Sequence, residues 1–240
     1  MQGIERAASV LRAVGGGGGG LKLAEVVAAV GLPKTTVHRV IGALEAEGLL
    51  RVDIGGRIWL GPALRELARV AATDLAAQVR PAVAALHRAT DETVDVAVVD
   101  GTAVRFIDQI QSTRALRAVS EVGATFPLHA TANGKAALAA MTPAEVDAVL
   151  ARGLTALTRN THVDPERLRA ELADVVDAGV AFDHQEHTLG ISAVGAAVVG
   201  PRGPILTLSI PTPTERFAAS RDHLVGALRV AVAQAEDLLG

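Results

Sequence analysis

The sequence contains no cysteine and no tyrosine, and other aromatic residues are few. Without cysteine the chain can form neither disulfide bonds nor thiolate metal sites. Half of the 240 residues are hydrophobic but only four are Phe and one is Trp, so the interior must consist mostly of Ala, Val and Leu. No apolar run reaches the roughly 18 residues of a membrane span, and the first residues lack a signal-peptide pattern. These absences predict a soluble cytoplasmic protein with one large or two modest domains.

The net charge of −3 is unevenly distributed along the chain. Residues 1–72 contain nine Lys and Arg against six Asp and Glu, whereas residues 73–240 contain fourteen against twenty. Because phosphate backbones attract basic surfaces, a nucleic-acid partner would contact the N-terminal third. The excess is small, however, and ordinary variation in composition would also explain it.

The N-terminal third alternates helical patterns with turn signals. Apolar residues at helical spacing predict a helix over residues 4–14. The six glycines from Gly15 to Gly20 predict a flexible loop, because each glycine disfavours a helix by about 1 kcal/mol relative to alanine. Two helices are then predicted, at 21–30 and at 34–47. A hairpin of two strands, 49–53 and 57–60, follows. A further helix is predicted from residue 62 to about residue 72.

Helix, turn, helix and hairpin in this order are typical of a winged helix-turn-helix, whose second helix of the pair enters the major groove. Arg39 can contact guanine N7 and O6, Thr36 a thymine methyl group or a phosphate, and Lys34 a phosphate. The predicted DNA-binding residues lie on this helix and on the hairpin: Lys34, Thr35, Thr36, His38, Arg39, Arg51 and Arg57. The same order of elements also occurs in helical hairpins with a purely structural role.

From residue 75 onward, helices and strands are interspersed in an order that predicts an α+β fold. The predicted helices lie at about 75–90, 131–140, from 143, 165–179 and 218–239. The predicted strands lie at 93–99, 103–110, 117–122, 181–182, 192–199 and 205–210. Thr142 and Glu145 form a capping-box pattern at the start of one of these helices.

An anion-binding pattern is centred on Thr131, which suits the N-cap of the helix that follows. The amides of Ala132, Asn133 and Gly134 would then lack partners within that helix. Free amides and the positive end of the helix dipole together favour an anion. We therefore expect a carboxylate ligand at this position.

Two other polar residues near this pattern allow two interpretations each. Lys135, one of three lysines in the chain, could contact the ligand carboxylate or pair with a neighbouring acid. His129 could contact the ligand or form a hydrogen bond within the fold.

Asp183, His184, Glu186 and His187 form a dense cluster in the sequence. As a metal site, the cluster lacks the i, i+4 histidine pair of a helical zinc centre. Ser192, His187 and Asp183 could form a hydrolase triad, but the sequence around the serine lacks the Gly-x-Ser-x-Gly turn of such enzymes. We therefore predict no metal, no cofactor and no enzymatic activity. A metabolite-binding enzyme or a metal-dependent hydrolase at these residues is the alternative.

Four segments resemble the IclR family of transcription regulators, and the resemblance extends over almost the whole chain. The stretch GLPKTTVHRVIGALEAEGLLRVDIGGRIWLGPAL, residues 31–64, resembles the DNA-binding domain of that family. PLHATANGK at 127–135 and FDHQEH at 182–187 resemble signatures of its C-terminal domain, and Ser-Ile-Pro at 209–211 resembles the last core strand. The run of glycines is longer than the usual loop of the family.

The resemblance implies a winged helix-turn-helix at 1–61, a linker helix at 62–74, and a GAF-like α/β domain for effector binding and oligomerisation at 75–240. It also implies the following effector-binding residues: Thr131, Ala132, Asn133, Gly134, Asp183, Ala193, Ser209 and Pro211. Ala193 and Pro211 stand where polar residues are common in the family. This difference favours an effector with an apolar or aromatic body and one carboxylate.

Taken together, the residues and the resemblance predict a transcription regulator that binds double-stranded operator DNA. By the frequency of the family we expect a repressor that acts as a homodimer or homotetramer. Effector binding would change DNA affinity through the helix at 62–72. A small-molecule sensor without DNA output is a third hypothesis, which substitution of Arg39 would distinguish.

Overall fold

Three helices and a small sheet form the first of two units into which the chain divides, 1–71 and 72–240. The computed structural model describes residues 2–17, 19–201 and 203–240. The elements of the first unit are α1 (Gln2–Gly16), β1 (Leu21–Lys22), α2 (Leu23–Val30), α3 (Lys34–Ala46), β2 (Leu50–Val52) and β3 (Arg57–Leu60). The strands pair antiparallel in the order β1-β3-β2. One core joins all three helices to the sheet through Val10, Val26, Val37, Ile41 and Ile58.

The glycine run departs from the loop predicted for residues 15–20. Helix α1 continues through Gly15 and Gly16, since Val10 and Val14 in the preceding turns are buried in the core and stabilise the helix. At the other end, Gly20 has a φ of +77°, and a Cβ there would lie 2.4 Å from the Trp59 ring, so the position requires glycine. Gly18 lies outside the described residues.

The segment after the glycines begins with a strand, although a helix was predicted from residue 21. Leu21 pairs with Ile58 and Lys22 with Arg57. The helix α2 therefore begins only at Leu23. A pairing of two residues with partners 35 and 37 positions further along leaves no periodic signal in the local sequence.

A six-stranded antiparallel sheet forms the centre of the second unit, with strand order β6-β5-β4-β9-β8-β7. Its strands are β4 (Val94–Asp100), β5 (Ala103–Ile110), β6 (Thr125–Pro127), β7 (Ala181–His184), β8 (Ile191–Gly200) and β9 (Gly203–Pro213). Helix α4 (Pro62–Thr90) begins in the first unit and continues into the second. The other helices of the second unit are α5 (Ala132–Ala139), α6 (Pro143–Leu150), α7 (Pro165–Ala178) and α8 (Thr214–Leu239), with a 3-10 turn at Leu128–Ala130.

The alternation of side chains along the strands gives the sheet two different faces. Val194, Ala196 and Val198 of β8 pack with α8 and the 72–90 part of α4 in the largest core. On the other face Phe106 and Leu128 join α5, α6 and α7 in a second core. The predicted α+β class, with a winged helix-turn-helix and a GAF-like α/β domain, is confirmed.

Two further local predictions, at residues 62–90 and 117–122, are wrong. The helices predicted at 62–72 and 75–90 form the single helix α4, since no glycine or proline between them ends the first helix. The predicted strand at 117–122 is an irregular segment. Side chains bind its backbone instead of a neighbouring strand: Gln109 donates to the Ser120 carbonyl and Thr93 to the Ala118 carbonyl.

Helix starts in this unit follow the sequence signals closely. Thr142 and Glu145 form the predicted capping box at the start of α6. Asp164 caps α7, which ends at Gly179 in a left-handed conformation. No helix in the described part of the chain is long and apolar enough to cross a membrane.

Candidate functional site

Helix α3 presents one polar face to solvent. Val37, Ile41 and Leu44 are buried in the core of the first unit, which fixes the rotation of the helix. The side chains predicted to read DNA from this helix therefore lie on its outer side: Lys34, Thr35, His38 and Arg39 are exposed, and Thr36 is half-buried. An exposed polar first turn is what a helix needs to enter a groove.

The wing, formed by β2 and β3, is held by the carboxylate of Asp53 at its turn. Oδ1 accepts hydrogen bonds from the Gly55 and Arg57 amides, and Oδ2 accepts one from Trp59 Nε1 at 2.9 Å. These bonds, the Arg57 amide first, lower the pKa of Asp53. The tip residue Ile54 is fully exposed and is a candidate contact that sequence reasoning missed.

Both arginines predicted to bind DNA from the wing are exposed but also have contacts within the chain. Arg51 lies over the Trp59 ring, 5.7 Å from its centroid. Arg57 donates from Nη1 to the Gly20 carbonyl at 2.8 Å. One of its donors therefore anchors the end of the glycine run to the wing.

The second unit contains a cavity of about 300 Å³ between the sheet, the N-terminus of α5 and the irregular segment at 117–120. Seven of the eight predicted effector-binding residues line it: Thr131, Ala132, Asn133, Asp183, Ala193, Ser209 and Pro211. Further lining residues, which sequence reasoning missed, include Asp95, Phe106, Arg117, Phe126, His187 and Ile191.

Strand register explains why residues far apart in the sequence meet at this cavity. Asp95 of β4 pairs with Ser209 of β9. Two residues further along β9, Pro211 pairs with Ala193 of β8, which in turn pairs with Asp183 of β7. Since residues i and i+2 of a strand share a face, all five lie on one side of the sheet.

Gly134 is the predicted effector residue that does not line the cavity. Its amide, which was predicted to be free, donates to Thr131 Oγ1 at 3.0 Å, because Thr131 caps α5. A Cβ at this position would lie 2.1 Å from the Leu128 carbonyl oxygen. Gly134 therefore lets α5 pack closely against the backbone of Leu128. The amides of Ala132 and Asn133 remain available to a ligand.

The side chain of Asn133 is the most unusual polar group in the cavity wall. It is 2% exposed, and no described residue forms a hydrogen bond with its Oδ1 or its Nδ2. A buried amide without partners costs stability unless a ligand or water bonds to it. Asn133 therefore offers one acceptor and two donor hydrogens to a molecule in the cavity.

Two buried carboxyl groups face the same space. Burial raises the pKa of Asp95 to about 6, although hydrogen bonds from Ser120 and Gln109 oppose the shift. Burial likewise raises the pKa of Asp183 to about 7, against the hydrogen bond from the Glu186 amide. Asp95 could have been found in the sequence as the one charge within the apolar strand TVDVAVV.

Aromatic rings form one wall of the cavity. Phe126 contacts Phe106 edge-on, with centroids 5.0 Å apart, and stacks on His187, with centroids 3.9 Å apart. Burial lowers the pKa of His187, which favours the neutral ring. This wall can stack against a flat, apolar ligand.

The structure distinguishes between ligand contact and a role within the fold for Lys135 and His129. Lys135 is fully buried and its ammonium group pairs with the carboxylates of Glu171 and Glu186. His129 is also buried, and its Nε2 lies 2.9 Å from the Thr155 carbonyl oxygen. Each of these side chains therefore bonds within the fold, and neither lines the cavity.

The alternative hydrolase triad is not assembled. The hydroxyl of Ser192 lies 3.0 Å from that of Thr214, and Nδ1 of His187 lies 2.9 Å from Thr188 Oγ1. The ring of His184 stacks on Phe182, with centroids 5.6 Å apart.

Comparison with known proteins agrees with this geometry. Residues 3–53 match the model of the IclR helix-turn-helix domain, and residues 67–236 match that of the bacterial transcriptional regulator IclR C-terminal domain. An HTH-type transcriptional regulator of Mycobacterium tuberculosis is 40% identical over 95% of this chain and 88% of its own length. The transcriptional repressor IclR of Escherichia coli is 31% identical over 98% of this chain and 88% of its own length.

Among solved structures, an IclR homologue from Microbacterium hydrocarbonoxydans complexed with 4-hydroxybenzoate superposes with a TM-score of 0.66. It is 25% identical, and the match covers 99% of this chain and 98% of that one. These relatives are named as regulators and not as enzymes, which speaks against the enzyme alternative. The chain belongs to the IclR family of DNA-binding transcriptional regulators.

Proposed function

We propose that this protein is an effector-controlled repressor. In this proposal α3 reads the major groove of operator DNA, the wing contacts the backbone or the minor groove, and the cavity binds the effector. The protein acts as a homodimer or homotetramer, so that two copies of α3 read a pseudo-palindromic site. The domain boundaries at 61 and 74 stay a prediction, with 62–74 as the linker.

The DNA-binding role rests on the exposed face of α3. Arg39 has the reach and the donor geometry for a guanine, and Lys34 and Thr35 suit phosphates. His38 and Thr36 complete the predicted contacts of this helix. Arg51 and Arg57 add positive charge on the wing, and Ile54 at its tip offers an apolar side chain to the minor groove.

The effector role rests above all on the unpartnered, buried side chain of Asn133 in the cavity wall. The effector that we propose is a small aromatic carboxylic acid. Its ring would stack on Phe126, and its carboxylate would accept hydrogen bonds from the amides of Ala132 and Asn133 at the positive end of α5. The 4-hydroxybenzoate complex of the Microbacterium homologue supports this class of ligand.

Substitution of Arg39 tests the DNA-binding role. We expect Arg39→Ala to weaken binding to a fragment upstream of the protein's own gene by about 1–3 kcal/mol, the value of a good guanine contact. Fluorescence anisotropy at several salt concentrations measures both this loss and the salt dependence that phosphate contacts produce.

Arg167→Ala is the matched control, since Arg167 is exposed on α7 in the other unit. It should bind the fragment as the unmodified protein does. Equal binding by the Arg39→Ala protein, or no binding of any protein at low salt, would contradict the assignment of α3.

A further inference from the structure

A second polar cluster lies outside the cavity lining and joins α5, α7 and the turn after β7. At its centre is Lys135, which is completely buried. Its Nζ donates to Oε1 of Glu171 and, at 2.6 Å, to Oε1 of Glu186. One ammonium group thus holds two carboxylates side by side and fixes their orientation.

The remaining oxygens of the two carboxylates face His162. Nδ1 of His162 lies 2.9 Å from Glu171 Oε2 and 4.0 Å from Glu186 Oε2. All three atoms lie within 4.8 Å of one another. Ligand atoms that each lie about 2.0–2.1 Å from a tetrahedral zinc ion are roughly 3.3 Å from one another. This separation lies between the 2.9 Å and 4.0 Å observed from His162 Nδ1 to the two carboxylate oxygens.

Glu186 Oε2 lacks a partner in this arrangement. The residue is 1% exposed, and no described residue donates a hydrogen bond to this oxygen. With both glutamates ionised and His162 neutral, Lys135 leaves one negative charge in the cluster uncompensated. A buried carboxylate oxygen in this situation calls for a cation.

We propose that His162 Nδ1, Glu171 Oε2 and Glu186 Oε2 bind a divalent transition-metal ion of the zinc type. One imidazole nitrogen and two carboxylate oxygens are a ligand set that suits such ions, and a fourth position is left for water. Lys135 hydrogen-bonds the far oxygens of both carboxylates, which is the usual support for ligating carboxylates. This proposal is independent of the proposed function.

The loop that carries His162 is anchored onto Glu186. Thr161 Oγ1 donates to the Glu186 carbonyl at 2.6 Å, and Thr158 Oγ1 donates to the Gln185 carbonyl at 2.7 Å. The Glu186 amide donates in turn to Asp183 Oδ1, in the wall of the cavity, at 2.7 Å. A metal ion would therefore tie the loop to the turn that positions Asp183.

The competing occupant is a proton on His162. An imidazolium would pair with Glu171 and neutralise the cluster. Its protonated Nδ1 would have no lone pair to offer a metal ion. The two occupants respond differently to added metal. Zinc must displace this proton in order to bind, so a cluster that keeps the proton at neutral pH shows no rise in Tm with added zinc. A metal site gains stability with metal concentration and loses its ion at low pH.

Zinc titration of the full-length protein, freed of metal with a chelator, tests the proposal. We expect isothermal titration calorimetry to give one tight site per chain, and the Tm to rise with zinc concentration. His162→Ala and Glu171→Gln should each weaken zinc binding at least about tenfold. His162 and Glu171 are partly exposed, so both variants should fold, which circular dichroism without metal verifies.

His223→Ala is the matched control, because His223 is an exposed histidine on α8. It should leave the zinc affinity unchanged. The proposal is overturned if zinc does not raise the Tm of the unmodified protein at neutral pH. It is equally overturned if His162→Ala binds zinc as tightly as His223→Ala does.

Discussion

Asp95 illustrates what a single residue contributes to the cavity. It is 2% exposed, and its carboxylate accepts a hydrogen bond from Gln109 Nε2 at 2.7 Å. The other charged or titratable groups facing the same cavity are Arg117, Asp183 and His187. Arg117 is exposed, so it does little to compensate the buried carboxylate. Ionisation of Asp95 therefore opposes folding, and a ligand that donates a hydrogen bond to it would relieve that cost.

Substitution of Asp95 should change how stability depends on pH. The folded-state pKa is about 6, above the usual 3.8, so the folded protein binds the extra proton between these values. Stability from this group is complete below about pH 4 and falls as pH rises through about 6, by about 3 kcal/mol in total. Asp95→Asn removes this loss. We therefore expect the free energy of unfolding in urea, taken as variant minus unmodified protein, to increase by about 3 kcal/mol from pH 4 to pH 7.5.

Asp174→Asn serves as the control for this measurement, because Asp174 is exposed on α7. Its stability relative to the unmodified protein should stay constant with pH. A constant difference for Asp95→Asn as well would mean that the carboxyl group titrates normally in the folded state.

At the scale of elements, helix α5 depends on two glycines that allow close backbone approach. A Cβ at Gly134 would lie 2.1 Å from the Leu128 carbonyl oxygen. A Cβ at Gly195 of β8 would lie 2.7 Å from the Ala132 carbonyl carbon. Because backbone atoms cannot move aside cheaply, these glycines determine where the amides of Ala132 and Asn133 lie over the sheet.

Gly134→Ala should therefore destabilise the protein, by about 1–3 kcal/mol or more, as overpacking does. Gly226→Ala is the matched control, since Gly226 is an exposed helical glycine of α8 with open space around it. That substitution should stabilise the protein by about 0.5–1 kcal/mol, because alanine favours a helix. Urea unfolding midpoints compare the two. Equal shifts for both variants would show that α5 can move away from Leu128 without loss.

Local signals in the sequence predicted the elements well, and contacts between distant segments account for the errors. The caps Thr131, Thr142 and Asp164 act within one turn, so their helices were placed correctly. The strand at Leu21–Lys22 was missed because its partner β3 lies far along the chain. Gly15 was assigned to a loop because the tertiary packing of α1 is not visible in its own propensity.

In the cavity, too, local motifs identified some of the lining residues, and contacts between distant segments account for those that were missed. Motif residues such as Asn133 and Asp183 were predicted as ligand contacts from the resemblance, and the structure places both in the wall. Asp95, Phe106 and Phe126 were missed, because only strand pairing and the seating of α5 bring them to the cavity. The Gly134 amide was misjudged, since the same residue that caps the helix also satisfies that donor.

For the whole molecule, the proposed function requires that operator and effector affect each other equally. Coupling between two binding sites is a free energy, typically about 1–3 kcal/mol, which corresponds to a factor of about 5–150 in affinity. If an effector changes operator affinity by a given factor, the operator must change effector affinity by the same factor. In a dimer or tetramer, the factor on operator affinity equals the product of the factors on effector affinity over all the effector sites of the DNA-bound oligomer.

We expect 4-hydroxybenzoate, or another small aromatic acid selected by its rise in Tm, to weaken operator binding as it would for a repressor. Calorimetry should then give a lower effector affinity in the presence of saturating operator, and the product of the reductions over all effector sites of the bound oligomer should equal the factor lost in operator affinity. The Arg39→Ala protein supplies the control: it should bind the effector normally, and at a fragment concentration that just saturates the unmodified protein its effector affinity should change less, because less of the variant is bound to DNA. Effector binding with identical affinity with and without bound operator would exclude allosteric control, and the protein would then bind DNA and effector independently.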